Sequence, residues 1–224
     1  MKPNYSVVML GATGAVGGHA ENTLSKLPDM KKLTLLGRRK VDTLSGSAIT
    51  QNIIDISEPT SYQDLLKGHQ TAICALGIGQ PSKFTKAEFI KIDKDAVLDF
   101  AKACKAAGIQ HFELLSAIGA TSKSASFYLR IKGELEDGLK ALNFNRLSLF
   151  HPSMILTPTN RYGLSQQIVL KTWPILTPFF MGPLRKIRGI KVDILGAAIA
   201  KNITTDRQGV ETLYWDEFRD LARL

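Results

Sequence analysis

Two side chains in the run SFYLRIKGELE stand at a spacing that suits proton transfer. Tyr128 and Lys132 are four residues apart, so a helix would carry both on one face. A free phenol titrates near ~10 and exchanges protons poorly at neutral pH, but a neighbouring ammonium favours its ionised form. None of Tyr5, Tyr62, Tyr162 and Tyr214 has a lysine at that offset. Upstream, in HFELLSAIGA, Ser116 offers a hydroxyl that could orient and polarise a substrate oxygen. The three together could protonate an oxygen as it gains negative charge.

A second group of residues suits phosphate. In VVMLGATGAVGG, Gly11, Gly14 and Gly17 lie between an apolar run and a helix-like segment, with Thr13, Ala15 and Val16 among them. Glycine there permits a tight turn and close approach of backbone to a pyrophosphate, and the opening N–H groups of the helix face the phosphates. A dinucleotide site is the expectation. An NAD site wants an acid about 20 residues further on. Here that place reads LTLLGRRK, where Arg38 and Arg39 stand and no carboxylate does. Two guanidiniums suit a 2′-phosphate, which they can grip through charge-assisted forks, so NADP(H) is the expected cofactor. Hydride transfer to a carbonyl then supplies the developing oxyanion that the trio would protonate, with Lys132 also holding ribose hydroxyls.

The elements that must position these residues are legible as alternation. Strands are predicted at Ser6–Leu10, Leu33–Leu36, Ile49–Ile54, Thr71–Ala75, His111–Leu115 and Asn145–Phe150. Helices are predicted at Ala15–Leu27, Tyr62–Leu66, Lys86–Ala107 and Phe127–Leu142. Several strand runs are apolar on both alternations, as in strands buried on two faces. The fold class is therefore α/β, a doubly wound, Rossmann-like parallel sheet with helices on both faces. After Phe150, five prolines between His151 and Lys191 predict loops and short helices, and 151–190 is the expected substrate-pocket region. Trp173, Ile175, Leu176, Phe179, Phe180 and Met181 would line an apolar wall there or pack in a core. Asp193 is expected to cap a helix at Ile194–Asn202, before a strand at Val210–Tyr214 and a helix at Asp216–Leu221. This tail is expected to fold over the C-terminal edge of the sheet.

Composition narrows the function classes. The 224 residues carry 29 basic and 20 acidic side chains, a formal charge of +9, with 44% hydrophobic and 22% charged residues. These values suit one globular domain, 1–224, and argue against disorder. The basic residues are dispersed, without zinc-finger spacing or an RNA-binding aromatic signature, so no nucleic acid partner is expected. No window reaches the length of a membrane span, and Val7–Leu10 falls short of a signal-peptide core. Cys74 and Cys104 cannot build a disulfide framework, which points to a reducing cytoplasm. No metal site is expected, and a monomer or homodimer acting on a small carbonyl compound is the fitting assembly.

The glycine spacing, with two residues between the first pair, resembles the extended and atypical short-chain dehydrogenases/reductases. The run HFELLSAIGATSKSASFYLRIKGELE closely resembles the Tat-interactive-protein oxidoreductase-like branch of that superfamily, as do LLGRRK, KIDKDAVLDFAK and the turn Cys74–Gly77. The resemblance spans most of residues 6–156. It implies a Rossmann-like sheet, bound NADP(H), catalytic Ser116, Tyr128 and Lys132, and cofactor contacts at Ala75, Leu76 and Gly77. Asp55 matches the place of an acid that contacts the adenine amino group in the superfamily; a turn cap is the alternative. Asp93 stands where a catalytic-site asparagine is often found, and His151-Pro152-Ser153 where Arg-Pro-Gly is common. Some members bind the cofactor yet act through partners, so a non-catalytic redox sensor or regulator is the alternative function.

Overall fold

The computed structural model describes residues 4–42, 44, 46–78, 84–158 and 180–224. Seven parallel strands form one sheet: β1 (Tyr5–Leu10), β2 (Met30–Gly37), β3 (Ile49–Ile53), β4 (Thr71–Cys74), β5 (His111–Leu115), β6 (Arg146–Phe150) and β9 (Gly209–Leu213). Their order is β3-β2-β1-β4-β5-β6-β9, every pair parallel. A separate two-stranded ribbon pairs β7 (Ile155–Leu156) with β8 (Ile190–Lys191).

Alternate strand residues feed two cores. Val7, Met9, Leu33 and Leu35 pack on the face covered by α1 (Ala15–Leu24), α5 (Val192–Asn202) and α6 (Trp215–Arg223). Val8, Leu10, Cys74, Phe112 and Leu114 pack on the other face with α3 (Ala96–Ala106) and α4 (Phe127–Ala141). Burial on both faces explains why these strands read as continuous apolar runs. Winding outward from β1 to β3, the chain then returns to place β4 on the other side of β1. That reversal opens a crevice at the C-terminal ends of β1 and β4, where doubly wound sheets bind ligands.

Two expectations change in detail. The single helix read at Lys86–Ala107 is interrupted: α2 (Lys86–Ile90) is followed by a π-helical turn at Lys91–Asp95 and only then by α3. Of the C-terminal tail, residues 159–179 lie outside the described residues. Its strand, β9, becomes the seventh strand beside β6, and α5 packs against α1 and α6. Asp193 is not the cap of α5, which Lys191 precedes as N-cap; it sits in the first turn, where a carboxylate complements the helix dipole. Among the described residues no helix is long and apolar enough to cross a membrane.

Candidate functional site

The loop from β1 into α1 is shaped by contacts within the protein. Gly11 has φ +94°, and a Cβ on it would lie 2.6 Å from the carbonyl carbon of Ala75 and 2.7 Å from the Leu76 nitrogen. A Cβ on Gly17 would lie 2.0 Å from the Gly11 carbonyl oxygen. Gly14 differs: it is the N-cap of α1 at φ −77°, its N–H donates to the Gly11 oxygen at 3.0 Å, and a Cβ would stand 3.2 Å from that atom. No side chain caps α1 and no acid occupies its first turn. Its opening N–H groups are thus left for an anion.

A cleft of about 480 Å³ extends from this loop across the C-terminal ends of β1–β4. Of the expected cofactor residues, Gly11, Thr13, Arg38, Arg39, Asp55, Leu76 and Gly77 line it. Gly14 and Ala15 open the helix beside it, Val16 and Gly17 are buried in α1, and Ala75 backs Gly11. Arg38 and Arg39 are exposed and form no ion pair among the described residues. Asp55 is both cleft wall and turn cap, accepting from the Ser57 N–H at 2.9 Å and the Ser57 hydroxyl at 2.6 Å. The hydroxyl bond, aided by the backbone one, holds its carboxyl below the ordinary value.

Two further residues of this cleft escaped the sequence reading. Gln51 accepts from the Val41 N–H at 2.7 Å and donates to the carbonyls of Val41 (3.1 Å) and Leu44 (3.0 Å), pinning the chain just beyond Arg38 and Arg39. Asn52 lines the cleft, and its Nδ2 is buried without a partner. A buried unpaired donor is costly, and a ligand acceptor would relieve it. Polar residues inside an otherwise apolar strand run were the available signal. The bare helix end, the close backbone approach at Gly11, the unpaired guanidiniums and the orphan amide fit a dinucleotide.

Tyr128, Lys132 and Glu136 follow one another on successive turns of α4; none of them lines the cleft, and Lys132 Nζ would stand 3.9 Å from a Cβ on the lining residue Gly77. Lys132 is buried, with Nζ 2.9 Å from Asp93 Oδ1; Asp93 Oδ2 accepts from the Ile78 N–H at 2.8 Å. Burial works against the Lys132 charge, but Asp93, with help from Tyr128 and Cys74, raises its pKa above the ordinary value. Tyr128 is half-buried, its ring 5.8 Å from that of Phe89. Ser116 takes a different partner. Its hydroxyl donates to Glu136 Oε1, which His151 Nε2 also approaches at 2.7 Å. All three are buried, and the Tyr214 ring stands edge-on to His151 at 5.6 Å.

The structure therefore sets Tyr128 and Lys132 one turn apart on α4, pairs Lys132 with Asp93 and sends the Ser116 hydrogen to Glu136. Glu136 and His151 were missed as partners, although Glu136 follows Lys132 by one turn. Of the expected apolar wall, Trp173, Ile175, Leu176 and Phe179 lie outside the described residues. Phe180 is half-buried and Met181 exposed.

Comparison with known proteins now bears on this geometry. Residues 11–146 match the family described as NAD(P)H-binding. The chain belongs to that family. It is 36% identical over 155 residues to the Rattus norvegicus protein HTATIP2, covering 68% of this chain and 64% of that relative, and it lies on the HTATIP2-like branch. It is 32% identical over 155 residues to the protein FMP52-1, mitochondrial, of Scheffersomyces stipitis, covering 67% of each. Among solved structures, MoeE5 in complex with UDP-glucose and NAD aligns with a TM-score of 0.69 at 16% identity, covering 93% of this chain and 76% of that one. The Citrobacter sp. triphenylmethane reductase complexed with NADP(H) aligns at 0.67 and 16%, covering 94% and 70%. These neighbours share the Rossmann-like fold of the chain.

Proposed function

We propose that this protein is an NADP(H)-dependent oxidoreductase of the short-chain dehydrogenase type, acting on a small carbonyl or alcohol. The observation that carries this reading is the Tyr128–Lys132 pair on one face of α4, beside a dinucleotide cleft whose far end presents Arg38 and Arg39. The bound dinucleotide supplies the hydride. Arg38 and Arg39 take a 2′-phosphate, the α1 N-terminus the pyrophosphate, and Asn52 an acceptor on the adenosine half. Tyr128 passes its phenolic proton to the substrate oxygen as that oxygen gains charge, and solvent restores the proton. Lys132 steadies the phenolate and reaches ribose hydroxyls with its remaining hydrogens. Ser116, its hydrogen held by Glu136, presents lone pairs and braces the end of β5 against α4. Reduced cysteines favour the cytoplasm, while the mitochondrial relatives make the mitochondrion the competing site, testable by fractionation.

One observation favours a second reading. Ser116 is closed onto Glu136 and Lys132 onto Asp93, an arrangement that would also suit a non-catalytic NADP(H)-binding sensor. NADPH consumption against a panel of aldehydes, ketones and quinones separates them. The oxidoreductase reading expects saturable, Tyr128-dependent turnover with at least one class and a marked preference for NADPH over NADH. NADPH binding without turnover across the panel would favour the sensor.

A further inference from the structure

Trp215, at the start of α6, gathers three guanidiniums around one indole. Those of Arg219, Arg188 and Arg185 stand 4.7, 4.9 and 5.6 Å from the ring centroid. We propose that this cluster, with residues 181–191, docks the protein on the anionic face of a membrane. Its cations meet acidic lipid headgroups, and Met181 and Leu184 enter the acyl boundary. The docking surface is independent of the oxidoreductase reading.

Residues 181–191, MGPLRKIRGIK, carry four cations and no anion. Within them a 3₁₀ turn, Gly182–Ile187, leaves Leu184, Arg185 and Lys186 consecutive and exposed, and Met181 precedes it. Met181 is 71% exposed and Leu184 52%, so both project from the surface instead of joining a core. The backbone beneath them is tied down. Trp215 Nε1 donates to the Gly189 carbonyl at 3.0 Å, and Arg188 Nε to the Phe180 carbonyl at 2.8 Å. The Ile190 N–H donates to the Met154 carbonyl at 2.9 Å, just beyond β6.

Guanidiniums gathered on one ring are separated by no more than about a Debye length, so salt screens their repulsion only in part. Nearby carboxylates answer little of it. Asp216 pairs with Arg185, Glu217 accepts from the Tyr214 N–H, and Asp220 lies 3.9 Å from Arg223. Among the described residues, Lys186, Arg188, Lys191 and Arg219 have no carboxylate within ion-pair distance. An anionic surface would complete them. The two apolar side chains decide which kind. A single exposed apolar residue is ordinary, but projecting ones set among cations match a surface that lies in the headgroup layer. A nucleic-acid backbone would leave Met181 and Leu184 in water. A folded partner calls for a groove or a continuous apolar face, whereas acyl chains yield around single side chains.

The test is cosedimentation of the full chain with vesicles of phosphatidylcholine, alone or mixed with phosphatidylserine. Binding to the mixed vesicles only, weakened by added salt, is the expected result. Lys186→Glu with Arg219→Glu should lower it at least tenfold, since each cation near an anionic surface is worth about fivefold. Met181→Ser with Leu184→Ser, at exposed positions that the fold does not need, should lower it several-fold. Lys31→Glu with Lys102→Glu makes the same charge change at the start of β2 and on α3, which covers the opposite sheet face from α6. That pair should stay within about threefold of the parent, because distant charges are screened. Thermal melting confirms the fold of each variant. No binding to the mixed vesicles, or equal losses from the patch and control pairs, overturns the proposal. So does duplex DNA binding that depends on Lys186 and Arg219 while vesicles are ignored, which would give the patch to a nucleic acid.

Discussion

Arg38 and Arg39 stand exposed just beyond β2, with no carboxylate paired to them among the described residues, which suits them to discriminate between cofactors. Replacing both by Ala should weaken NADPH binding by about 2–4 kcal/mol, since each charge-assisted contact is worth ~1.5–3 and the two overlap. NADH affinity should hardly move in the same calorimetric titration; equal losses would remove the 2′-phosphate from the account. Ser116 carries a different prediction. Because its hydrogen already serves Glu136, Ser116→Ala should slow hydride transfer by less than about tenfold, far below the usual worth of a positioned acid. A loss as large as that of Tyr128→Phe would show that Ser116 turns toward substrate during reaction. Glu136→Ala strips the partner from both Ser116 and His151 and should cost about 1–3 kcal/mol in denaturant unfolding.

At the scale of elements, the glycine loop separates packing from binding. A Cβ on Gly17 runs into the Gly11 carbonyl, so Gly17→Val should unfold the protein, whereas a Cβ on Gly14 asks the Gly11 oxygen to give by only a few tenths of an ångström. Gly14→Val should therefore keep its melting temperature within a few degrees while losing at least tenfold in NADPH affinity; unchanged binding would make the loop purely structural. Gln51 performs the same service for β3, and Gln51→Met should lower NADPH affinity several-fold, leave NADH unchanged and speed amide exchange at Val41. The strands were legible because β1, β2 and β4–β6 are buried on both faces and read as apolar runs. The break at Lys91–Asp95 was not legible, since a π-turn leaves apolar residues at near-helical spacing on either side. Gly11, Arg38, Arg39, Tyr128 and Lys132 could be picked out by type and spacing alone. The partnerships of Lys132 with Asp93, Ser116 with Glu136 and Gln51 with Val41 depend on which elements the sheet order brings together. For the same reason the strand at the C-terminus was found in sequence while its place beside β6 was not.

For the whole molecule, the buried polar cluster near the start of β5, β6 and β9 should shape pH stability. Burial pushes Glu113 up to about 8, opposed by the Asn202 hydrogen bond and Arg146; burial, with Arg146, pushes His111 down to about 3. Glu113 stabilises the fold fully below the unfolded value near 4.5 and loses that contribution as pH rises to about 8. His111 contributes above 6.5 and loses its share as pH falls toward 3. Between about 6.5 and 8, of these two, Glu113 alone titrates, so the melting temperature should decline there. Glu113→Gln, which keeps the Asn202 contact, should flatten that decline; an unchanged slope would place the titrating group elsewhere. The chain as a whole is read as a sheet that brings a dinucleotide to a phenol, and one measurement tests that most directly. Parent and Tyr128→Phe are each loaded with NADPH and mixed with a carbonyl compound that the parent reduces, and oxidation of the bound cofactor is followed through a single turnover. The account predicts NADPH affinity within a few-fold and a hydride-transfer rate lower by about 10²–10⁴ in Tyr128→Phe. Equal rates in the two proteins would contradict it.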